Sequence, residues 1–270
     1  MFVTHKAENG IVYVTSDILR SKHAFSTRIG GISELSHTFA LNLAFRRGDC
    51  DDTVLANLTR FAEGVGFDAE SVISLPQIHS SNVIDVDTSM RGEGYFKPPH
   101  TSCDGYVTDK KGVVLGVKTA DCVPILLEAE DESGNIMAVS ALHAGWRGTV
   151  GGIAQKGVEM LLEKGAKREN IRAAIGPSIG ACCFEVGDDF LQTVTELRGE
   201  AFAKSFVMRR EGRLYADIKA MNRYLLDKCG VSSKNIDVSD ECTFCLEDKY
   251  YSHRRMAGLR GTMLSVIYMI

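Results

Sequence analysis

Cys122, in Ala120-Asp121-Cys122-Val123-Pro124, lies twenty-one residues ahead of His143, which opens His143-Ala144-Gly145-Trp146-Arg147-Gly148; an isolated Gln77-Ile78-His79 precedes both. The three segments offer two imidazoles and a thiolate. That is the donor set of a catalytic zinc, which keeps its fourth position for water or substrate. If His79, Cys122 and His143 converge, the chain is a metalloenzyme.

Each of these residues sits at the end or edge of a stretch that reads as buried strand. Val113 to Val117 leads into Lys118-Thr119-Ala120-Asp121-Cys122, Val123 to Leu127 follows, and Asn135 to Leu142 runs directly into His143. These are apolar, β-branched runs of strand length, so two neighbouring strands would deliver Cys122 and His143 side by side. His79 closes a third short apolar segment, Val72 to Leu75, where Pro76 favours an edge or a turn into the site. Glycines at 145, 148, 151 and 152 let the backbone approach a ligand closely. The helix expected from about Val150 to Lys164 would point its first amides at an anion.

Further strands are expected around 11–14, 83–86, 105–108, 171–175, 236–239 and 263–269. Helical periodicity is clearest at 52–65, 151–164 and 217–229. The alternation implies a mixed α/β fold. No repeat or linker divides the chain, so residues 1–270 are read as a single domain. The segment 87–103, with Gly92, Gly94, Pro98 and Pro99, reads as a loop: either a lid over the metal or a plain surface excursion.

Composition narrows the function classes. At 270 residues with 44% hydrophobic content the chain can bury a large core, and a net charge of −4 gives no basic footprint for nucleic acid or for a polybasic membrane contact. No stretch approaches the roughly 18 apolar residues of a membrane span. The first residues lack the apolar core of a signal peptide, so a cytoplasmic location is expected. Eight cysteines in a chain of this size are then expected to be reduced thiols. Cys242-Thr243-Phe244-Cys245 is a C-x-x-C that can be a buried thiol pair, a redox pair or a second metal site. Adjacent Cys182 and Cys183 would point opposite ways in extended backbone, so at most one should face any given site.

Ordered motifs along nearly the whole chain carry a resemblance. They are His23-Ala24-Phe25-Ser26-Thr27-Arg28 with Gly30-Gly31-Ile32-Ser33, Leu41-Asn42-Leu43, Pro76-Gln77-Ile78-His79 and Asp104-Gly105-Tyr106-Val107-Thr108. They continue with Thr119 to Pro124, His143 to Gly148, Ile175-Gly176-Pro177-Ser178-Ile179, Cys242-Thr243 and Tyr251-Ser252-His253-Arg254-Arg255. The chain resembles the multicopper polyphenol oxidase, or laccase-domain, proteins, also described as purine nucleoside phosphorylases and peptidoglycan editing factors. The resemblance implies mixed sheets layered between helices in an α/β/β/α order, and one zinc held by His79, Cys122 and His143. It also implies phosphorolysis of purine nucleosides (adenosine, inosine, guanosine or methylthioadenosine) and deamination of adenosine. The chain departs from the family where an Asn-Arg pair is replaced by Asn57-Leu58, with Arg60 as a possible substitute, and where the last glycine motif reads Leu259-Arg260-Gly261.

Chemistry assigns candidate roles to these residues. Zinc with three such ligands keeps a net positive charge and can acidify water toward neutral pH. Deamination then needs a nonligand carboxylate to move protons. Asp121 is the nearest in sequence, and its other reading is a hydrogen bond that orients a ligand or caps a turn. Phosphorolysis needs an anion site beside the sugar, for which Arg147 is the first candidate, unless it pairs with a buried acid. Arg28, His253 and Arg254 are further candidates to bind substrate. Asn42 and Gln77 can hydrogen-bond ribose or base, or merely satisfy backbone groups. Trp146 can stack on a base or pack behind the site. A purely structural zinc would draw a fourth ligand from Cys103 or Cys242. Other readings stand beside the nucleoside enzyme. One is a hydrolase with Cys122 as nucleophile and His143 as base, acting on cell-wall precursors; another is a noncatalytic ligand-binding module. Copper-dependent phenol oxidation ranks below zinc chemistry, because multicopper centres need more histidines than seven scattered ones supply.

Overall fold

The apolar runs pair into two six-stranded mixed sheets in the computed structural model, which describes residues 1–270. The first sheet has the order Phe2–Lys6, Val12–Ser16, Lys22–Ser26, Met263–Tyr268, Val114–Thr119, Val72–Ile73. The second has the order Ile236–Val238, Ile171–Ile175, Val123–Glu130, Ile136–Ala144, Gly105–Thr108, Val83–Asp85. Strand Val123–Glu130 is buried from end to end because both of its faces are covered. Val123, Ile125, Leu127 and Ala129 pack toward helices Ile153–Glu163 and Ile218–Lys228, while Leu126 joins the core between the sheets. This period-two division explains why residues 123–127 read as an unbroken apolar run.

Val14, Phe25, Leu115, Val117 and Ile267 of the first sheet meet Tyr106, Val139, Ala141 and Ala174 of the second. On the outer face of the first sheet, Leu264, Val266 and Tyr268 pack against Val54, Leu58 and Phe61 of helix Asp51–Val65. The layers therefore run helix, sheet, sheet, helices, as expected. Each fully buried Val, Leu, Ile or Phe side chain here contributes about 1.5–3 kcal/mol. Asp51 and Asp52 in the first turn suit the positive end of that helix, and Gly66, at φ 93, closes it in the left-handed conformation. No helix is long and apolar enough to cross a membrane.

Several features differ from the sequence reading, beginning with strands Phe2–Lys6 and Lys22–Ser26 of the first sheet, which it does not contain. The helix expected from 150 begins instead at Trp146 as Trp146–Gly151, breaks at Gly152 with φ 91, and restarts as Ile153–Glu163. Helices Asp188–Arg198 and Glu200–Phe206 and a small three-stranded sheet, absent from the sequence reading, form a lobe with their own apolar core. Helix Asp188–Arg198 carries Phe190, Val194 and Leu197 at helical spacing, a pattern the sequence reading does not use, and buries only Phe190 and Val194.

Candidate metal centre

The centre lies where the chain crosses between the sheets. Ala120-Asp121-Cys122 links Val114–Thr119 of the first sheet to Val123–Glu130 of the second, and 74–82 links Val72–Ile73 to Val83–Asp85. Both crossings contain a nonglycine residue in the left-handed region, Asp121 at φ 89 and His79 at φ 60. Such a conformation costs on the order of 1–3 kcal/mol and persists only where surrounding contacts hold it. For Asp121 the holders are Thr243 Oγ1 at 2.7 Å, Ser252 Oγ at 3.0 Å and the Arg254 amide at 2.7 Å, all donating to its carboxylate. For His79 the holder is Asp104, whose Oδ1 accepts the His79 amide at 2.9 Å.

The ligand atoms of His79, Cys122 and His143 all lie within 4.8 Å of one another. Cys122 and His143 arrive on adjacent antiparallel strands, with Val123 opposite Ala144 and Pro124 opposite His143. The two imidazoles stand edge to face, 4.9 Å apart at 82°. Gly145 leaves the space beside them open: a Cβ there would sit 3.0 Å from His79 Cδ2 and 3.5 Å from Cys122 Sγ. Bonds of about 2.0–2.3 Å to nitrogen and sulfur would need donors roughly 3–4 Å apart, within reach of small side-chain rotations. The donors fit a metal. Cys103 and Cys242 do not close the set: neither belongs to this cluster, so the expected alternative of a four-ligand structural zinc is not supported by these residues.

Asp104, given no role in the sequence reading, organises the centre. Its Oδ1 accepts His143 Nδ1 at 2.8 Å, and its Oδ2 accepts the Ser80 amide and Ser80 Oγ, each at 2.7 Å, and the Ile78 amide at 3.3 Å. The bond to Nδ1 leaves His143 Nε2 for the thiol side. Burial by itself would raise the Asp104 carboxyl, but its bonds from His143 and Ser80 outweigh that and hold it at about 2. Burial likewise pushes the Cys122 thiol up, and the facing imidazoles of His143 and His79 more than offset it, bringing it to about 6. Burial disfavours a charged His143, yet the Cys122 sulfur and Asp104 raise it to about 9. Metal-free, the pocket thus favours a thiolate beside an imidazolium, and a metal would displace that proton.

Two clefts meet at the centre. The larger, of about 540 Å³, is lined by His79, Cys122 and His143 together with Arg46, Arg47, Lys97, Lys118 and Arg260, and by no carboxylate. The smaller, of about 320 Å³, shares His79, Cys122, Arg47 and Arg260 and adds Asp121, Trp146, His253 and Arg254. Arg260 donates to Thr262 Oγ1 at 2.5 Å, while its buried Nε has no partner. Burial and then Arg47 hold Lys118 down to about 8. The loop 87–103 supplies Gly94 to Pro99 as one wall of the larger cleft. It is fastened there by Tyr95, whose hydroxyl donates to the Leu43 carbonyl at 2.6 Å, so it is not a plain surface excursion.

Several expected site residues are placed otherwise. Arg147 is exposed and stacks on Trp146 at 4.1 Å, neither paired with an acid nor lining either cleft. Arg28 donates to the Phe39 and Glu247 carbonyls in a separate groove. Asn42 is fully buried, with both amide hydrogens and its oxygen spent on Ala44, Asp49 and Thr262. Its type suggested recognition, but burial closes that role. Gln77 lines the larger cleft, yet its amide pairs with both backbone groups of Lys118. Asp121 lines the smaller cleft, and its carboxylate is engaged by Thr243, Ser252 and the Arg254 amide. His253 and Arg254 do line the smaller cleft, and burial followed by Arg260 lowers the His253 pKa. Asn57 and Arg60 serve backbone groups of 30–42 and Asn9, so Arg60 does not reach the centre. The sequence reading gives Arg47 and Lys118 no role, because nothing local distinguishes them from surface cations, and notes Arg260 only within the altered last glycine motif.

A family model described as "Multi-copper polyphenol oxidoreductase laccase" matches residues 22–270. A "Purine nucleoside phosphorylase" of Deinococcus radiodurans is 38% identical over 96% of this chain and 93% of its own length. "Adenosine deaminase RL5" from an unknown prokaryotic organism is 36% identical over 91% of this chain and 93% of its own. The crystal structure of Bacillus licheniformis hypothetical protein YfiH superposes with a TM-score of 0.89 at 30% identity, covering 99% of both chains.

Proposed function

Because this chain belongs to the family described as multi-copper polyphenol oxidoreductase laccase, we propose that it is a zinc-dependent purine nucleoside enzyme, with phosphorolysis as its main reaction and adenosine deamination as a lesser one. The observation that carries the reading is the larger cleft: two histidines and a cysteine open into a space lined by five cations and no carboxylate. In a chain of net charge −4, such a cleft concentrates positive potential and draws in an anion such as phosphate. Relatives named for purine nucleoside phosphorolysis and adenosine deamination support the substrate class.

The chain's own residues divide the work. Arg47 and Arg260 border both clefts and would hold phosphate against the sugar carbon. Phe45, Tyr95 and Phe96 offer aromatic faces for the base. A zinc bound by His79, Cys122 and His143 would supply Lewis acidity. Deamination ranks second because Asp104 and Asp121, the carboxylates nearest the centre, are spent on five and three hydrogen bonds and are poorly placed to carry protons. Zinc is favoured over copper because the cluster holds two histidines, and the other group of potential ligands is all cysteine.

A second reading follows from the same geometry. Cys122, His143 and Asp104 line up as nucleophile, base and orienting acid, the arrangement of a cysteine hydrolase. Metal-quantified protein incubated with adenosine, with and without phosphate, beside the Cys122→Ala variant, separates the two. Adenine formed only with phosphate, and lost in the variant, is expected. No conversion by metal-loaded protein overturns the nucleoside reading, and metal-free hydrolysis of a cell-wall amide, lost with Cys122→Ser, would establish the other.

A further inference from the structure

Four thiols outside the two clefts meet in one place. We propose that Cys182, Cys183, Cys242 and Cys245 form a second, closed zinc site whose role is structural. Their sulfurs all lie within 4.8 Å of one another. Cys182 Sγ is 3.7 Å and Cys183 Sγ 3.4 Å from Cys245 Sγ. Tetrahedral zinc with bonds of about 2.3 Å to sulfur places its four sulfurs about 3.8 Å apart, so the cluster already has nearly the size such an ion needs. All four are free thiols. Cys182 and Cys183 lie in a turn rather than in extended backbone, which removes the reason for expecting only one of them to face the site.

The surroundings are those of a bound thiolate group. The Gly180 amide donates to Cys242 Sγ at 3.2 Å, and the amides of Phe244 and Cys245 face the same sulfur, as the backbone of a metal-binding C-x-x-C turn does. A Cβ on Gly180 would sit 3.1 Å from Cys182 Sγ and 3.6 Å from Cys242 Sγ, so the close approach depends on glycine. Four thiolates on one zinc carry two net negative charges, and cations stand by to offset them. Buried Lys219 donates to the carbonyls of Ser239 and Glu241, and Arg255 donates to those of Thr243 and Phe244. Tetrahedral four-sulfur coordination selects zinc or iron among common metals, and a site closed to substrate fits redox-inert zinc.

Such an ion would clasp two segments, 178–184 and 239–255, that lie far apart in the chain. Between them run the bridge of Ser178 with Cys242 and the Thr243 amide bond to the Ser178 carbonyl at 3.1 Å. Both segments also hold Asp121: Ile179 donates its amide to the Asp121 carbonyl at 3.0 Å, and Thr243 donates its hydroxyl to the carboxylate at 2.7 Å. The clasp therefore steadies the turn that presents Cys122.

Metal content is measured on full-length protein purified under reducing conditions, for the native chain, His79→Ala/His143→Ala and Cys242→Ser/Cys245→Ser. Two zincs per native chain and one in each double variant are expected. Thiol titration should gain four reactive groups when a strong chelator is added to the histidine variant. Cobalt loaded into that variant should show thiolate charge-transfer and tetrahedral d–d bands. If the cysteine variant fails to fold, X-ray absorption on the histidine variant decides the matter, with four sulfurs at about 2.3 Å expected. One zinc per native chain that leaves with the histidines overturns the proposal, as do four thiols freely reactive in metal-loaded protein, disulfides among them, or iron in place of zinc. Loss of the nucleoside activity alone would leave these counts unchanged, so the two readings fail separately.

Discussion

Replacing Asp104 by asparagine tests how the centre is built. The carboxylate accepts from Ile78, His79 and Ser80 amides, from Ser80 Oγ and from His143 Nδ1, and it is fully buried. An amide of the same shape has one accepting oxygen. Turned one way, its NH2 faces His143 Nδ1 and the His79 amide; turned the other way, it faces the Ile78 and Ser80 amides. The Ser80 hydroxyl can reverse, but in either orientation two N–H donors lose their acceptor. Each buried unsatisfied donor costs about 1–3 kcal/mol, so Asp104→Asn should destabilise the crossing by about 2–6 kcal/mol. Part of that cost falls on the left-handed His79 and on the orientation of His143, and loss of such an outer partner weakens metal binding about 10- to 100-fold. Chelator competition at neutral pH reads the affinity, and thermal unfolding with and without metal reads the stability. Metal affinity within about threefold of native, with an unchanged midpoint, would refute the view that Asp104 positions both histidines.

The other expectations concern the space, charge and protonation of the same centre. Gly145→Ala should weaken metal binding at least about tenfold with little change in thermal midpoint, because its backbone at φ −62 accepts alanine while the new methyl crowds His79 at 3.0 Å; equal affinity would show that the space is not used. Arg260→Ala should raise the KM for phosphate roughly 10- to 100-fold through loss of charge-assisted bonds, whereas exposed Arg147→Ala should change it less than about twofold; the reverse order would return the anion site to Arg147. In metal-stripped protein, residue-resolved alkylation of Cys122 should reach half its maximal rate near pH 6, since a lowered thiol pKa keeps the thiolate as pH falls from 9 and loses it only below about 6. Replacing His143 should move that midpoint upward, and a native midpoint near 9 would remove the thiolate–imidazolium pair.

Local pattern was enough for the elements whose apolar faces repeat. The buried strands on either side of Cys122 and ahead of His143, and helix Asp51–Val65, are legible because period and chain neighbours alone decide them. The two histidines and the cysteine stood out because few residue types bind zinc and these three end strands. Residue type misled where tertiary hydrogen bonds decide the role: Asn42 is saturated inside the core, and Arg28 and Arg147 turn away from the clefts. Nothing near Arg47, Lys118 or Arg260 in the chain announces that they share one cleft. Nor does anything near Asp104 indicate that it reaches both histidines, or that a turn at 182–183 meets another at 242–245. Those arrangements come from strands paired across long sequence separations and from two crossings between stacked sheets. A side chain's direction there depends on the register of distant segments, and no local window contains that register.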